Sequence, residues 1–284
     1  VEYKLGSLDE LAFVQSLWNE PIQYIIHAAA LSSPWGDKLS FEKANVYTQQ
    51  NLLLLAKKVD VFRYVYISTP SVYFTGSDRW NIKESDPLPS QLVNEYARTK
   101  YRAELLLKDS GLPHVMLRPR ALIGRADTVI MPRMIRAFDE GKLKIIGDGK
   151  NKVDLTSVAN VADAIVASMR AEGKALNEVY NISNGEPVLL WDHIRLVLSL
   201  LNRKLSDKKV PHELVLAFAA FLELKAKWGS GAEPALTKYS VGTLSKNFTM
   251  DISKAKDLLG YVPKVSTEQA LVEFTQWYLT NEQG

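Results

Sequence analysis

Short apolar runs without a polar face constrain this chain most. Ile22–His27 (IQYIIH), Val61–Ser68 (VFRYVYIS) and His114–Leu117 (HVML) are strand-length and, apart from Arg63, largely apolar on both sides. Strands of this kind occur in parallel sheets covered by helices on both faces. The intervening segments read as those helices. Leu8–Trp18 has apolar residues at helical spacing, and Leu39–Val59 continues a helical pattern to Lys57 and Lys58. Glu95–Lys108 has Asn94 as an N-cap and Gly111 just past its end. Val1–Leu5 alternates and is expected to be a strand, and Thr75–Gln91 a loop. The fold class is α/β, a Rossmann-like doubly wound parallel sheet.

Beyond residue 127 the pattern becomes mixed and then mostly helical. Helices are expected at Ile130–Phe138, Val161–Met169, Leu190–Leu201, Pro211–Lys227, Pro234–Leu244, Ser253–Leu259 and Thr267–Leu279. Short strands are expected at Leu143–Ile146, Val153–Ser157 and Glu178–Ile182, with a flexible piece at Trp228–Pro234. Residues 1–127 are therefore expected to form the sheet core. Residues 128–284 form mainly a substrate lobe, with some segments returning to the core.

Composition removes several functions. There are no cysteines, so thiolate catalysis and disulfides are excluded. The four histidines are widely spaced and no metal site is expected. A net charge of +3 without a basic block argues against nucleic acid. No apolar run approaches the ~20 residues of a membrane span. Without a recognisable signal peptide, a cytoplasmic protein is expected, and because the sequence does not open on Met the true N-terminus is expected elsewhere.

Tyr96 and Lys100 lie four positions apart, hence on one helix face. Thr69 closes the strand before that helix. A hydroxyl, a phenol and an ammonium together suit proton transfer at a carbonyl or alcohol oxygen. Ala28–Ala30, Ser68–Thr69 and Pro119 end three strands, and open parallel sheets bind ligands outside such ends. His27 reads as a core histidine and Arg118 as half of a structural ion pair.

Six segments, in order, resemble those of extended short-chain dehydrogenases/reductases, the superfamily of sugar-nucleotide epimerases and 3β-hydroxysteroid dehydrogenases. They are IIHAAA, Ala44–Val46 (ANV), YISTPSVY, YARTK, LRPRALIGRAD and DISKAKDLLGYVPKVS. The resemblance implies NAD or NADP as cofactor, with Tyr96 as acid/base, Thr69 orienting the substrate oxygen and Lys100 tuning Tyr96 and holding the nicotinamide ribose. Ser68 is the nearest competitor of Thr69. Ser7, Leu8, Ala28, Ala29, Ala30, Asn45, Ser68, Pro119 and Ala121 would line the cofactor. Ser71, Tyr73 and Met131 would join Thr69 on the substrate. The family's long helices imply a homodimer.

One element departs from the family. None of the fifteen glycines forms a Gly-x-x-Gly-x-x-Gly turn, which would hold the pyrophosphate on backbone N–H groups. Gly6-Ser7-Leu8 also replaces the family's Gly-Asp-Leu. Either roughly 50–60 residues, one βαβ unit and its flanks, precede Val1, or this is a short form that binds a dinucleotide poorly.

The stretch PHELVLAFAAFLELKAKW, from Pro211 to Trp228, carries substrate information. It reads as a core helix, or as a wall of a greasy substrate site or a membrane-facing surface. It resembles the branch of 3β-hydroxysteroid and sterol-4-carboxylate dehydrogenases and 2-alkyl-3-oxoalkanoate reductases. The expected reaction interconverts a secondary alcohol and a ketone on a lipophilic substrate. The alternatives are a sugar-nucleotide epimerase or dehydratase, for which Arg133, Arg136 and Lys144 offer contacts, and a cofactor-free binding relative.

Overall fold

A computed structural model describes residues 1–229 and 232–281. Of the expected flexible piece, Ser230 and Gly231 lie outside the described residues. The central sheet has four parallel strands in the order Tyr24–His27, Arg63–Ile67, His114–Pro119 and Glu178–Ile182. Alternation along the second strand separates two cores. Tyr64 and Tyr66 enter a cluster with Leu52, Leu55, Ala103 and Leu107 on one face. Val65 enters the opposite cluster with Leu117, Val161, Ala164 and Ile252. Helices thus cover both faces, as the apolar runs require.

Residues 38–58 form a continuous helix whose middle turn, Glu42–Tyr47, is wound as a π-helix. Glu42 is buried there and pairs with Arg98 at 2.6 Å and Arg102 at 2.7 Å on the Glu95–Lys108 helix. That second helix starts where Asn94 Oδ1 accepts the Ala97 N–H at 2.9 Å. Beyond it, Gly111 takes φ +75°, the left-handed turn expected of a glycine after a helix.

Four expectations change. Val1–Leu5 forms no strand, and Val1, Tyr3 and Leu5 are exposed. Alternation alone cannot hold a strand without a neighbour to accept its hydrogen bonds. The Leu8–Trp18 helix contracts to Leu11–Gln15. Val153–Ser157 divides into Lys152–Val153 and Thr156–Ser157, which pair with different strands. The expected loop at 75–91 contains a strand, Arg79–Ile82, paired with Phe248–Met250.

The remaining segments carry their own apolar clusters, one around Leu271 and Phe274 and another around Trp191 and Leu198. The Lys238–Ser245 helix docks beside the end of the second strand. Gly242 permits this, because a Cβ there would stand 2.4 Å from the Phe74 ring.

Candidate active site

Thr69 follows the Arg63–Ile67 strand and caps a single 3-10 turn, Pro70–Tyr73. Its Oγ1 accepts the Ser71 N–H at 3.2 Å and donates to Ser71 Oγ at 3.0 Å. Ser71 Oγ lies 2.8 Å from the Tyr239 hydroxyl, so the Lys238–Ser245 helix closes directly on this turn. Tyr239 also packs edge-on against Phe74, with ring centres 4.9 Å apart.

Tyr96 occupies the first turn of its helix and is partly buried. Its phenol lies within reach of the Ser32 and Thr69 hydroxyls. Burial pushes the Tyr96 phenol above its ordinary range, and those two hydroxyls pull it partly back. Thr69 and Tyr96, distant in sequence and assigned to one pocket, therefore meet.

Lys100 is buried one turn further along. Its Nζ donates to the Ile67 carbonyl at 2.6 Å and stands 4.1 Å from the centre of the Tyr66 ring. Burial pushes its pKa down to about 7, with Glu104 acting in the opposite direction. Tyr96 itself is acted on by burial first, then by Ser32, Thr69 and Tyr239. Sharing a helix face places the two side chains side by side, but the long lysine stem reaches back to the strand carbonyl.

Asn45 fastens the loop above the sheet. Its Oδ1 accepts the Leu31 N–H at 2.8 Å, and its Nδ2 donates to Thr99 Oγ1 at 2.9 Å. Ala28–Ala30, just past the first strand, are exposed. Ser68 is buried, its Oγ without a hydrogen-bond partner among the described residues. Pro119 is buried at its strand end, and Ala121 takes φ +40°, a backbone that alanine adopts rarely.

Other expected site residues go elsewhere. Tyr73 is fully buried, donates to Asn181 Oδ1 at 3.0 Å and accepts from Arg118 Nη1, leaving its phenol no room for a substrate. Arg118 forms the expected ion pair, a doubly hydrogen-bonded one with Glu104. Met131 packs inside the apolar cluster with Ile123 and Ile135. Ser7 is exposed and its hydroxyl donates to Asp9, while the Leu8 carbonyl accepts Asn51 Nδ2 at 3.0 Å. His27 is buried in the core, with Nδ1 at 2.6 Å from Gln49 Oε1 and Nε2 without a partner among the described residues. Arg133 is paired with Glu233 at 3.1 Å. Ser32 and Tyr239 escaped the sequence reading. No local pattern marks them, since only the folded chain brings them to Tyr96 and Ser71.

A parallel sheet with a hydroxyl–phenol pair at its carboxyl edge is the arrangement that the sequence led one to expect of a dehydrogenase. Residues 3–183 match the NAD dependent epimerase/dehydratase family, and the chain belongs to it. It is 32% identical over 262 residues to the 2-alkyl-3-oxoalkanoate reductase of Shewanella oneidensis, covering 87% of this chain and 68% of that protein. It is 35% identical over 266 residues to 3beta-hydroxysteroid-dehydrogenase/decarboxylase isoform 1 of Arabidopsis thaliana, covering 88% of this chain and 60% of the relative. The fold is that of UDP-glucuronic acid 4-epimerase from Bacillus cereus in complex with NAD, with a TM-score of 0.71 and 24% identity over 96% of this chain and 78% of the other.

Proposed function

We propose that this chain carries the proton-transfer and substrate-orienting residues of an NAD(P)-dependent oxidoreductase that interconverts a secondary alcohol and a ketone on a lipophilic 3-oxo or 3-hydroxy substrate. The observation that carries this reading is that Thr69 and the Tyr96 phenol come together at the carboxyl edge of the sheet, closely enough for Thr69 to act on the phenol's ionisation. The names of the two relatives support the substrate class. For a sugar diphosphate, Arg133 is already committed to Glu233.

The unpartnered Ser68 hydroxyl and the exposed Ala28–Ala30 backbone fit the nicotinamide end of the cofactor. The pyrophosphate end lacks its glycine-rich turn among the 284 residues. When bound, a nicotinamide supplies or accepts the hydride. The chain's own part is to move the proton and place the substrate. During reduction Tyr96 gives its proton to the forming alkoxide, and during oxidation it takes the alcohol proton. Because burial raises the Tyr96 phenol, the protonated form that reduction needs is held ready. Thr69, positioned through Ser71 and Tyr239, fixes the substrate oxygen. Lys100 orders the strand end through Ile67, and with a nicotinamide bound it would hold the ribose hydroxyls.

The reading includes a core of residues 1–127 joined by the Glu178–Ile182 strand, with the remainder shaping the substrate side. It also includes a homodimer through residues 38–58 and Glu95–Lys108, where Tyr47, Leu54 and Leu105 are exposed.

The test is Tyr96→Phe in the full-length protein, assayed with NADH and NADPH on a 2-alkyl-3-oxoalkanoate. Turnover should fall by about 10²–10⁴-fold with dinucleotide affinity nearly unchanged. Turnover within threefold of the parent would remove Tyr96 from the chemistry.

A further inference from the structure

The His212–Trp228 helix contradicts the expectation of a core helix. A surface helix normally turns its apolar stripe inward. Here the inward face is narrow. Val215, Leu216 and Ala219 pack with Trp191 and Leu198, and Ala219 is the one buried residue among the seventeen. Leu214 is 65% exposed, Phe218 56%, Phe221 59%, Leu224 48% and Trp228 84%. These positions recur every three or four residues, so they form one stripe about 21 Å long. Scattered exposed apolar residues are ordinary, but a continuous aromatic stripe marks an interaction surface.

The charges around the stripe identify what it meets. Lys225 lies on the stripe between Phe221 and Trp228, and Lys227 adjoins it. Lys204 and Lys208 stand in the loop that leads into the helix. None of these four lysines forms an ion pair among the described residues. On the helix itself, Glu223 is paired with Lys238 at 3.6 Å, leaving Glu213 as the opposing charge. Lysine is depleted from the centres of protein–protein interfaces, which disfavours a second copy as the occupant. At a bilayer the same lysine is welcome, because its stem lies along the apolar layer while its ammonium reaches the headgroups.

We propose that this helix docks in the plane of an anionic phospholipid surface. Phe218 and Phe221 enter the acyl boundary, Trp228 sits at headgroup level and Lys225 and Lys227 face the phosphates. Nothing crosses the bilayer in this arrangement: among the described residues no helix is long and apolar enough to do so. The helix packs on Lys238–Ser245, whose Tyr239 reaches Ser71. The lipid-facing surface is therefore one helix away from the Thr69 turn, a short route for a lipophilic substrate. That last clause rests on the proposed function, whereas the docking itself does not.

Flotation of the full-length protein with vesicles tests it. The protein should rise with phosphatidylcholine vesicles containing phosphatidylserine, less with phosphatidylcholine alone, and less as salt increases. Phe218→Ser with Phe221→Ser should lower partition at least about tenfold. Lys225→Gln with Lys227→Gln should lower binding to anionic vesicles by about 25-fold, roughly fivefold per lysine, and leave binding to neutral vesicles unchanged. Circular dichroism confirms that the variants fold. Turnover of a water-soluble short-chain ketone should not change in the phenylalanine pair, which separates failure of the surface from failure of the site. Absence of flotation with every vesicle, binding indifferent to both pairs, or a dimer that the phenylalanine pair dissolves without any vesicle binding would each overturn the proposal.

Discussion

Replacing Glu104 by leucine should unfold this protein more easily than any surface change, and replacing Arg118 as well should largely undo the damage. Both side chains are about 4% exposed. Two hydrogen bonds join them, at 2.8 Å from Nε and 2.5 Å from Nη2. With Glu104 gone, the guanidinium remains buried with the Tyr73 hydroxyl and ring for company, and neither neutralises it. Breaking a buried pair from one side costs about 3–5 kcal/mol, a large share of the roughly 5–15 kcal/mol that holds a domain folded. Glu104→Leu with Arg118→Met removes both charges, and apolar replacement of a whole pair is often neutral. The double variant should therefore lie within about 2 kcal/mol of the parent. Urea unfolding at constant slope measures all three proteins. A loss below about 1 kcal/mol for Glu104→Leu, or a double variant as unstable as the single one, would refute the claim that an uncompensated charge is the cause.

Two further expectations follow from the interior. Burial, with Lys100 adding to it, lowers the His27 pKa to about 4, so the folded state resists a proton that the unfolded chain accepts near 6.5. The resulting stability is present above 6.5 and is lost as pH falls towards 4. Between pH 7 and 5 His27 should remove about 2 kcal/mol, and a His27→Gln variant should show a flatter urea profile across that range if the attribution is right. Gly242→Val should destabilise by about 1–3 kcal/mol through overpacking against Phe74, and its KM should rise because Tyr239 moves away from Ser71. Unchanged unfolding and KM would mean that the Lys238–Ser245 helix docks without that close approach.

The sheet was readable because Tyr64, Val65, Tyr66 and Ile67 leave no polar face, and a parallel sheet covered on both sides accommodates such a run. Thr69 and Tyr96 were readable because each belongs to a local pattern, a strand end and a helix face. Arg79–Ile82 was not readable. It is only four residues long, half of them polar, bends through Asn81 at φ +49°, and exists by pairing with Phe248–Met250 far along the chain. Val1–Leu5 shows the reverse error, since alternation describes a strand but does not supply its partner. Tyr73 matched a motif, yet Arg118 and Asn181 claim its hydroxyl. The His212–Trp228 pattern was strongly apolar, but the stripe alone did not say which side would face the protein.

The π-turn at Glu42–Tyr47 gives this helix one place where its length can change without losing phase. A π-turn holds about one residue more than the α-turn it replaces. Deleting a single residue between 42 and 47 would let the helix relax to α winding and leave the residues after it facing as they do now. The same deletion in the α-wound turn just before, at 38–41, would rotate everything after it by about 100°. Gln49 would then swing away from His27, and Asn51 would leave the Leu8 carbonyl. A point substitution tests one side chain, whereas a one-residue deletion placed inside or outside the π-turn tests how every later contact of the helix is phased.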